Sequence, residues 1–345
     1  MKYGTPKGGS YRRKSGIPKG KSDRRTIGIG IDIGGTKISM VLGNARGRIL
    51  ARREIPTLKN SRVRQGLRLL IENLHQLIRD ARVPSHQILG IGIGIPGAVN
   101  TSKGIVPNSP NLKGWRNLPL GRILTRSFGC PVILMNDANA AVVGEKIFGA
   151  ARKAKHVIYL TISTGVGGGI LIDERLVEGA NFVAGEIGHM TIMPEGDRCN
   201  CGQRGCLEAY ASGTAIGRYV EREIRSGRGH GIERWIPRTK GISGREVGLA
   251  AEHGNPLAMQ AYRRAGNYLG VGIGTLLNIL NPQVVVLGGG VLKSAPPAHW
   301  QAMLKSVKRH AWPEAFRAAK IVRTRLGDHV GNLGALALVF AYKKH

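Results

Sequence analysis

Thr26-Ile27-Gly28-Ile29-Gly30-Ile31-Asp32-Ile33-Gly34-Gly35-Thr36-Lys37-Ile38-Ser39-Met40-Val41-Leu42 is the stretch on which the fold turns. Its first half is a β-branched apolar run that stops at Gly34-Gly35, and a second apolar run, Ile38–Leu42, follows at once. A turn at Gly43-Asn44 and the run Arg48–Ile55 extend this into an antiparallel meander. The pattern returns about 130 residues later: His156–Ser163 reads as an apolar strand, Thr164-Gly165-Val166-Gly167-Gly168 as a turn and Gly169–Ile172 as a second strand. Two strand–glycine turn–strand units, one opening each half of the chain, predict two similar α/β lobes.

Between and after these units the periodicity changes. From Ser61 to Ala81, Val63, Leu67, Leu70, Ile71, Leu74, Leu77 and Ile78 form a helical stripe. Ile88–Ile95 returns to strand, and residues 97–119 read as a long loop rich in Asn, Pro and Gly, of the kind that often carries function. Val132–Met135 predicts a short strand and Ala138–Phe148 a helix. Residues 179–212 are irregular. Helices over Gly244–Glu252 and Pro256–Leu280, strands over Val284–Leu287 and Ile321–Thr324, and a last helix over 331–343 complete the chain. The expected organisation is a disordered basic tail over 1–26, a small N-terminal α/β lobe over 27–137 joined by the helix 331–343, and a large C-terminal α/β lobe over 138–330.

The chain has 345 residues, enough for two lobes, and 42% of them are hydrophobic. Its 51 glycines are about twice the usual share of roughly 7% and show no three-residue period, so they mark turns and close approaches rather than a collagen. The net charge of +31 is extreme. Residues 1–26 hold nine Lys or Arg against one acid, Asp23, with no apolar period, hence the disordered tail. Such a field favours anionic partners, namely nucleotides, polyphosphate, nucleic acid or anionic lipid, although a charged surface kept for solubility accounts for it equally well. No apolar run reaches the length of a membrane span, and no secretory core opens the chain. Four cysteines make no disulfide framework, so a cytoplasmic location is expected.

The glycine turns are the first candidates for chemistry. A turn with little side chain exposes backbone N–H groups that can cradle phosphate oxygens. Asp32 adds a carboxylate able to organise a hydrated Mg²⁺; Thr36 and Thr164 add hydroxyls, and Lys37 an amine. An ordinary tight hairpin would explain either turn alone; the pair points to phosphate. The sequence has no Walker A loop. Asp137, in Asn136-Asp137-Ala138-Asn139, stands where a strand gives way to a helix. There it is either a helix cap or the carboxylate that takes a proton in phosphoryl transfer to an alcohol. A helix N-terminus should lower its pKa. His189-x9-Cys199-x-Cys201-x4-Cys206 places three thiols and an imidazole within 18 residues, enough to close a tetrahedral, structural zinc shell. Cys130 lies apart and reads as a core thiol. Glu186 and Glu208 flank the cluster, as solvated loop charges or as carboxylates held rigidly for hydroxyl groups. Gly288-Gly289-Gly290, after the strand Val284–Leu287, leaves room for a flat ligand.

Taken together these residues resemble the ROK family of repressors, open reading frames and sugar kinases, over about Thr26 to Ala341. Glu186-Ile187-Gly188-His189 followed by Cys199-Asn200-Cys201-Gly202-Gln203-Arg204-Gly205-Cys206-Leu207-Glu208 is the most specific part of the likeness. Asp32, Gly34, Gly35, Thr36 and Lys37 match the family's first phosphate segment. Thr164, Gly165, Gly167 and Gly168 match the second, and Gly288, Gly289 and Gly290 the adenosine segment. The resemblance implies an α/β, two-lobed actin-like ATPase (ribonuclease H-like) fold with a cleft between lobes, in the actin/hexokinase/Hsp70 superfamily. It implies an ATP:hexose 6-phosphotransferase using Mg²⁺ with ATP and a structural Zn²⁺ on His189, Cys199, Cys201 and Cys206, working in carbohydrate metabolism at glycolysis. Asp137 would be the general base, and Asn111, Asn136, Glu186, His189 and Glu208 would bind the hexose. His189 would ligate zinc through one ring nitrogen and meet the sugar through the other. Glucose is the expected acceptor, with mannose, N-acetylglucosamine and N-acetylmannosamine as alternatives, and a homodimer or homotetramer is the expected assembly. Two rival readings are a polyphosphate-dependent glucokinase and a sugar-responsive regulator. Repressors of the family carry a DNA-binding module ahead of the kinase-like part, for which the 26 residues before the first strand are expected to be too few. The basic tail could still contact nucleic acid or polyphosphate.

Overall fold

Both glycine turns join strands that are buried along most of their length, and each pair of strands nucleates one sheet. The structure is a computed structural model that describes residues 12–13, 27–57, 63–108, 115–236 and 241–343. Contacts divide the chain into two units. The described parts of Met1–Lys153, Leu176–Ala184 and Arg325–His345 form the first, and those of Ala154–Arg175 and Gly185–Thr324 the second.

The first unit begins with β1 (Arg12–Arg13), β2 (Ile27–Ile33), β3 (Lys37–Asn44), β4 (Ile49–Pro56) and α1 (Val63–Asp80). It continues through β5 (Ile88–Ile95), β6 (Val106–Asn108), β7 (Arg116–Leu118), α2 (Leu120–Phe128), β8 (Val132–Asn136) and α3 (Asp137–Ile147). Its sheet runs β4-β3-β2-β5-β8, antiparallel over the meander and parallel from β2 to β5 to β8. Alternation in Ile27–Ile33 places Ile27, Ile29, Ile31 and Ile33 in the core beneath α1, which contributes Leu70, Leu74, Leu77 and Ile78 at helical spacing. Residues 97–119, expected to be loop, hold the three-residue strands β6 and β7, which pair antiparallel and are too short to show a period. Cys130 lies in this unit's core, as expected.

The second unit repeats the plan. It contains β9 (Val157–Ile162), β10 (Val166–Ile172), β11 (Arg175–Leu176), the short α4 (Glu208–Ala211), α5 (Gly213–Arg225), α6 (Gly244–Glu252) and α7 (Pro256–Leu280). β12 (Val284–Gly288), α8 (Gly290–Lys293), α9 (Pro297–His310), α10 (Pro313–Ala318) and β13 (Lys320–Arg323) follow. The sheet order β11-β10-β9-β12-β13 has the sense of the first: an antiparallel hairpin whose first strand pairs parallel to the fourth, and the fourth to the fifth. The duplication read from the two turns is therefore a duplication of sheet topology. α6 and α7 span the residues expected of them. Each starts on a capping side chain, Ser243 in a capping box with Glu246 and Asn255 on Ala258 N–H.

The chain returns to the first unit with α11 (Val330–Ala341) and β14 (Tyr342–Lys343). The helix expected over 331–343 thus stops at Ala341, and its last two residues pair antiparallel with β1. The other residues of 1–26, where a disordered tail was expected, lie outside the described residues. α11 lies directly on β2 and β5. A Cβ on Gly30 would fall 2.5 Å from the Asn332 carbonyl oxygen, and one on Gly92, its registered partner, would collide with the Ala335 carbonyl. Ser39 Oγ donates to Asn332 Oδ1 (3.0 Å) and Asn332 Nδ2 donates to the Ser39 carbonyl (3.1 Å), fixing the helix in the core. Among the described residues no helix is long and apolar enough to cross a membrane.

Candidate functional site

In the first unit, the β2–β3 turn is closed by Gly34 N–H donating to the Lys37 carbonyl (2.9 Å). Thr57 braces it, its Oγ1 donating to the Gly34 carbonyl (2.8 Å) and its N–H to the Thr36 carbonyl (2.9 Å). Asp32, next to last in β2, lies against the first turn of α11, where a Cβ on Gly331 would collide with its carboxylate. Burial pushes Asp32 up to about 6, with Asp137 adding to the rise and Lys37 opposing it. Lys37 Nζ is held by Glu54 at 2.8 Å, and Arg52 holds the same carboxylate at 2.6 Å; hydrogen bonds from Lys37 and Arg52 bring Glu54 down to about 2.

Asp137 is the first residue of α3, yet Asn136 is the cap: its Oδ1 accepts from Ala138 N–H (2.9 Å) and Asn139 N–H (3.2 Å). Asn136 Nδ2 donates to the Gly97 carbonyl (3.2 Å). The cap alternative weighed for Asp137 thus belongs to its neighbour. The expected lowering of the Asp137 pKa is overturned. Burial raises it, and the hydrogen bonds from Ala138 N–H and its own N–H only partly offset that rise. The Asp137 carboxyl is thereby a stronger base than an exposed one. Asn111 lies outside the described residues.

In the second unit, the β9–β10 turn is closed by Ser163 N–H on the Gly165 carbonyl (2.9 Å) and braced by the first turn of α5. Gly213 N–H donates to the Ser163 carbonyl (2.7 Å), and Thr214 Oγ1 to the Thr164 carbonyl (2.7 Å). Gly167 and Gly168 lie in β10, opposite Thr161 and Leu160. Beside the turn is a cavity of about 450 Å³, mostly apolar, lined by Ser163, Thr164, Gly213, Thr214, Ser243, Gly244, Arg245, Gly290, Lys293 and Ser294 among others. α5 and α6 both begin on it with a glycine, which brings both helix starts close to its wall; in α5 the first N–H groups are already taken, Gly213 N–H by the Ser163 carbonyl and Ala215 N–H by Ser212 Oγ (3.1 Å). Gly289 has φ +102° and passes against Ile162, a conformation and an approach that only glycine allows. Thr164 and Gly290 were expected here; Gly213, Thr214, Ser243, Gly244, Arg245, Lys293 and Ser294 were not. A shared signal marks them: Ser212-Gly213 and Ser243-Gly244 are both cap-plus-glycine helix starts.

His189, Cys199, Cys201 and Cys206 converge, their ligand atoms all within 4.8 Å of one another. Cys199 Sγ lies 3.8 Å from His189 Nδ1, and Cys201 Sγ 3.7 Å from Cys206 Sγ. A tight turn holds the knuckle, with Cys199 N–H on the Gln203 carbonyl (2.8 Å) and Gly202 N–H on the Cys199 carbonyl (3.0 Å). Burial raises the Cys199 thiol and pushes Cys206 up to about 12, whereas the Gln203 N–H lowers Cys201. Buried thiols of this kind keep their protons until a cation replaces them. The cluster is a Cys/His site able to hold a metal ion. His189 turns Nε2 the other way, 4.0 Å from Glu186 Oε2. Glu208 begins α4; its Oε2 accepts Val166 N–H at 2.9 Å, and its Oε1 lies 3.7 Å from Cys199 Sγ.

Comparison with known proteins places this geometry. A glucokinase of Halalkalibacterium halodurans is 35% identical over 321 residues, covering 90% of this chain and 94% of that one. A xylose repressor of Caldicellulosiruptor bescii is 33% identical, covering 91% of this chain and 78% of that one. The solved structure of a ROK family glucokinase from Streptomyces griseus in complex with glucose and AMPPNP is 32% identical, with a TM-score of 0.74 over 90% of this chain and 98% of that one. The ROK family model matches residues 28–341, and this chain is a member of the ROK family.

Proposed function

We propose that the protein is an ATP-dependent hexose kinase that phosphorylates the 6-hydroxyl of glucose. The observation that carries this reading is Asp137, a buried carboxyl of raised pKa at a strand-to-helix junction, in a chain 35% identical to a glucokinase over nearly its whole length. Asp137 takes the proton of the sugar hydroxyl as its oxygen attacks phosphorus, and a raised pKa brings a base nearer to working pH. Asn111 and Asn136, with Glu186, His189 Nε2 and Glu208, hydrogen-bond the sugar's hydroxyls. Asp32 orders the waters of Mg²⁺, whose charge offsets that of the phosphates during transfer. Backbone N–H groups of the turns at Gly34–Lys37 and Thr164–Gly168, other than the Gly34 N–H that closes its own turn, cradle phosphate oxygens. The cavity of the second unit takes the purine. Its apolar walls suit a flat base, which polyphosphate lacks, and this supports ATP as donor. Gly288, Gly289 and Gly290 shape its edge.

The cluster at His189, Cys199, Cys201 and Cys206 is proposed to hold zinc. Its donor set fits: four ligands about 2.3 Å from a centre lie about 3.8 Å apart in a tetrahedron, the spacing of the Cys199–His189 and Cys201–Cys206 pairs. With four protein ligands the ion would be structural and would fix the loop that carries Glu186 and Glu208.

The test is ADP release from ATP and Mg²⁺ with glucose, mannose, fructose, N-acetylglucosamine and N-acetylmannosamine. Turnover is expected with one or two of these sugars, glucose foremost. The likeness to a xylose repressor favours one other reading, a sugar-binding regulator without activity. ADP release no faster with any sugar than without would contradict the kinase and leave that regulator.

A further inference from the structure

The Cys/His cluster and the second glycine turn meet at one residue, Val166, the first of β10. Glu208 follows the ligand Cys206 by two positions, and its Oε2 accepts the Val166 N–H at 2.9 Å. The same carboxylate fills the space above Gly165, where a Cβ would collide with Oε2. From the other side Gly188, next to the ligand His189, is pressed so closely on Val166 that a Cβ there would collide with the Val166 carbonyl. Leu207 N–H donates to the Met190 carbonyl (2.9 Å) and ties these two limbs together. Both chain segments that carry metal ligands therefore clamp the residue that follows Thr164-Gly165, and Ser163 and Thr164 line the cavity.

The loop has little regular secondary structure, and the buried core that steadies it is built on two of the ligands themselves, Cys199 and Cys206, with Ala209 and Tyr210. From 177 to 207 its regular structure is one 3₁₀ turn, Ile187–His189, and isolated bridges at Thr191–Cys206 and Arg198–Arg204. A turn that binds phosphate through N–H groups works only if they are held to about half an ångström. We infer that occupancy of the metal cluster sets nucleotide affinity at the β9–β10 turn, with Glu208 as the positioning residue that carries the coupling. This rests on the reading of the cavity as the nucleotide pocket. Metal loss relaxes the Cys206–Glu208 segment, frees Val166 N–H and blurs the turn. Linkage makes the effect reciprocal: nucleotide must hold the metal more tightly by the same factor.

The experiment uses the full chain, zinc-loaded and chelator-stripped, without sugar, and measures binding of a non-hydrolysable ATP analogue by calorimetry and hydrogen exchange at Val166. About tenfold weaker binding and faster exchange are expected after stripping. In the loaded protein, where no stripped state is needed, the analogue should slow zinc release to chelator by a similar factor. Glu208→Gln keeps an oxygen acceptor and should keep this slowing; Glu208→Ala should lose it. Zinc release unaffected by analogue in the wild type, or slowed equally in Glu208→Ala, overturns the coupling. No binding of the analogue to the loaded protein overturns the nucleotide pocket instead.

Discussion

The turn at Gly34–Lys37 is braced by a strand end, through Thr57, and is surrounded by charge: Asp32 beneath it, Lys37 and Glu54 paired beside it. The turn at Ser163–Gly165 is braced by a helix start, through Gly213 and Thr214, and by one carboxylate that faces a Cys/His cluster. Both sit at the same place in sheets of the same topology. On the proposed function, the difference teaches that a duplicated strand–turn–strand unit specifies where a ligand would be met, while the elements packed behind it specify which part of the ligand. Charge suits the first turn to a metal-bound phosphate. On the second side a mostly apolar cavity with Arg245 and Lys293 in its lining suits a nucleoside and its nearer phosphates.

If that division holds, the two turns respond very differently to substitution. Asp32→Asn should reduce sugar-dependent ADP release by about 10³-fold, the upper part of the range for removing a transition-state charge contact; a loss below tenfold would place Mg²⁺ elsewhere. On the second side, Cys199→Ser should bring zinc content from about one per chain to near zero and lower stability by roughly 3 kcal/mol, read by metal analysis and denaturant titration.

Acidity separates the units in a second way. Asp32 is raised to about 6 from 3.8, so the native state binds the extra proton, and its stabilising effect is lost as pH rises from about 4 to 6. The penalty above pH 6 is at most about 3 kcal/mol at 1.36 kcal/mol per unit. Asp32→Asn should therefore be more stable than wild type at pH 8 without divalent cations, and equal to it near pH 4. In the second unit His299 is fully buried and neither ring nitrogen has a partner; burial takes it down to about 4. It favours folding above pH 6.5 and loses that contribution as pH falls towards 4, so His299→Phe should flatten the acid side of the melting profile. The two variants should shift stability in opposite pH directions relative to wild type. The smallest effect is expected at Thr164: loss of one hydroxyl contact, about 1 kcal/mol, should raise KM for ATP about fivefold and leave that for sugar unchanged.

Features with local signatures were legible in the sequence: the two hairpins, the Cys/His spacing and the spans of α6 and α7. What escaped depends on distant partners. Gly30 and Gly92 fall inside strands read from the apolar runs and carry no signal of their own, yet they are the floor on which α11 lies, three hundred residues away in the case of Gly30. The sign of the Asp137 shift was misjudged because a helix N-terminus is visible locally and burial is not. Glu208 could be flagged by its neighbours, but its bond to Val166 spans 42 positions and has no sequence signal. The cavity wall from Ser243, Gly244 and Arg245 was missed because a capping box explains those residues without a ligand.

The central claim is that Asp137 takes the sugar's proton, and Asp137→Ala tests it most directly, with turnover and glucose binding measured on the same preparation. The account predicts at least a roughly 10³-fold loss of kcat, with the glucose Kd changed less than about fivefold. A variant that keeps turnover within tenfold of wild type, or that loses glucose binding as fully as turnover, would contradict it and return Asp137 to a structural part of the α3 start.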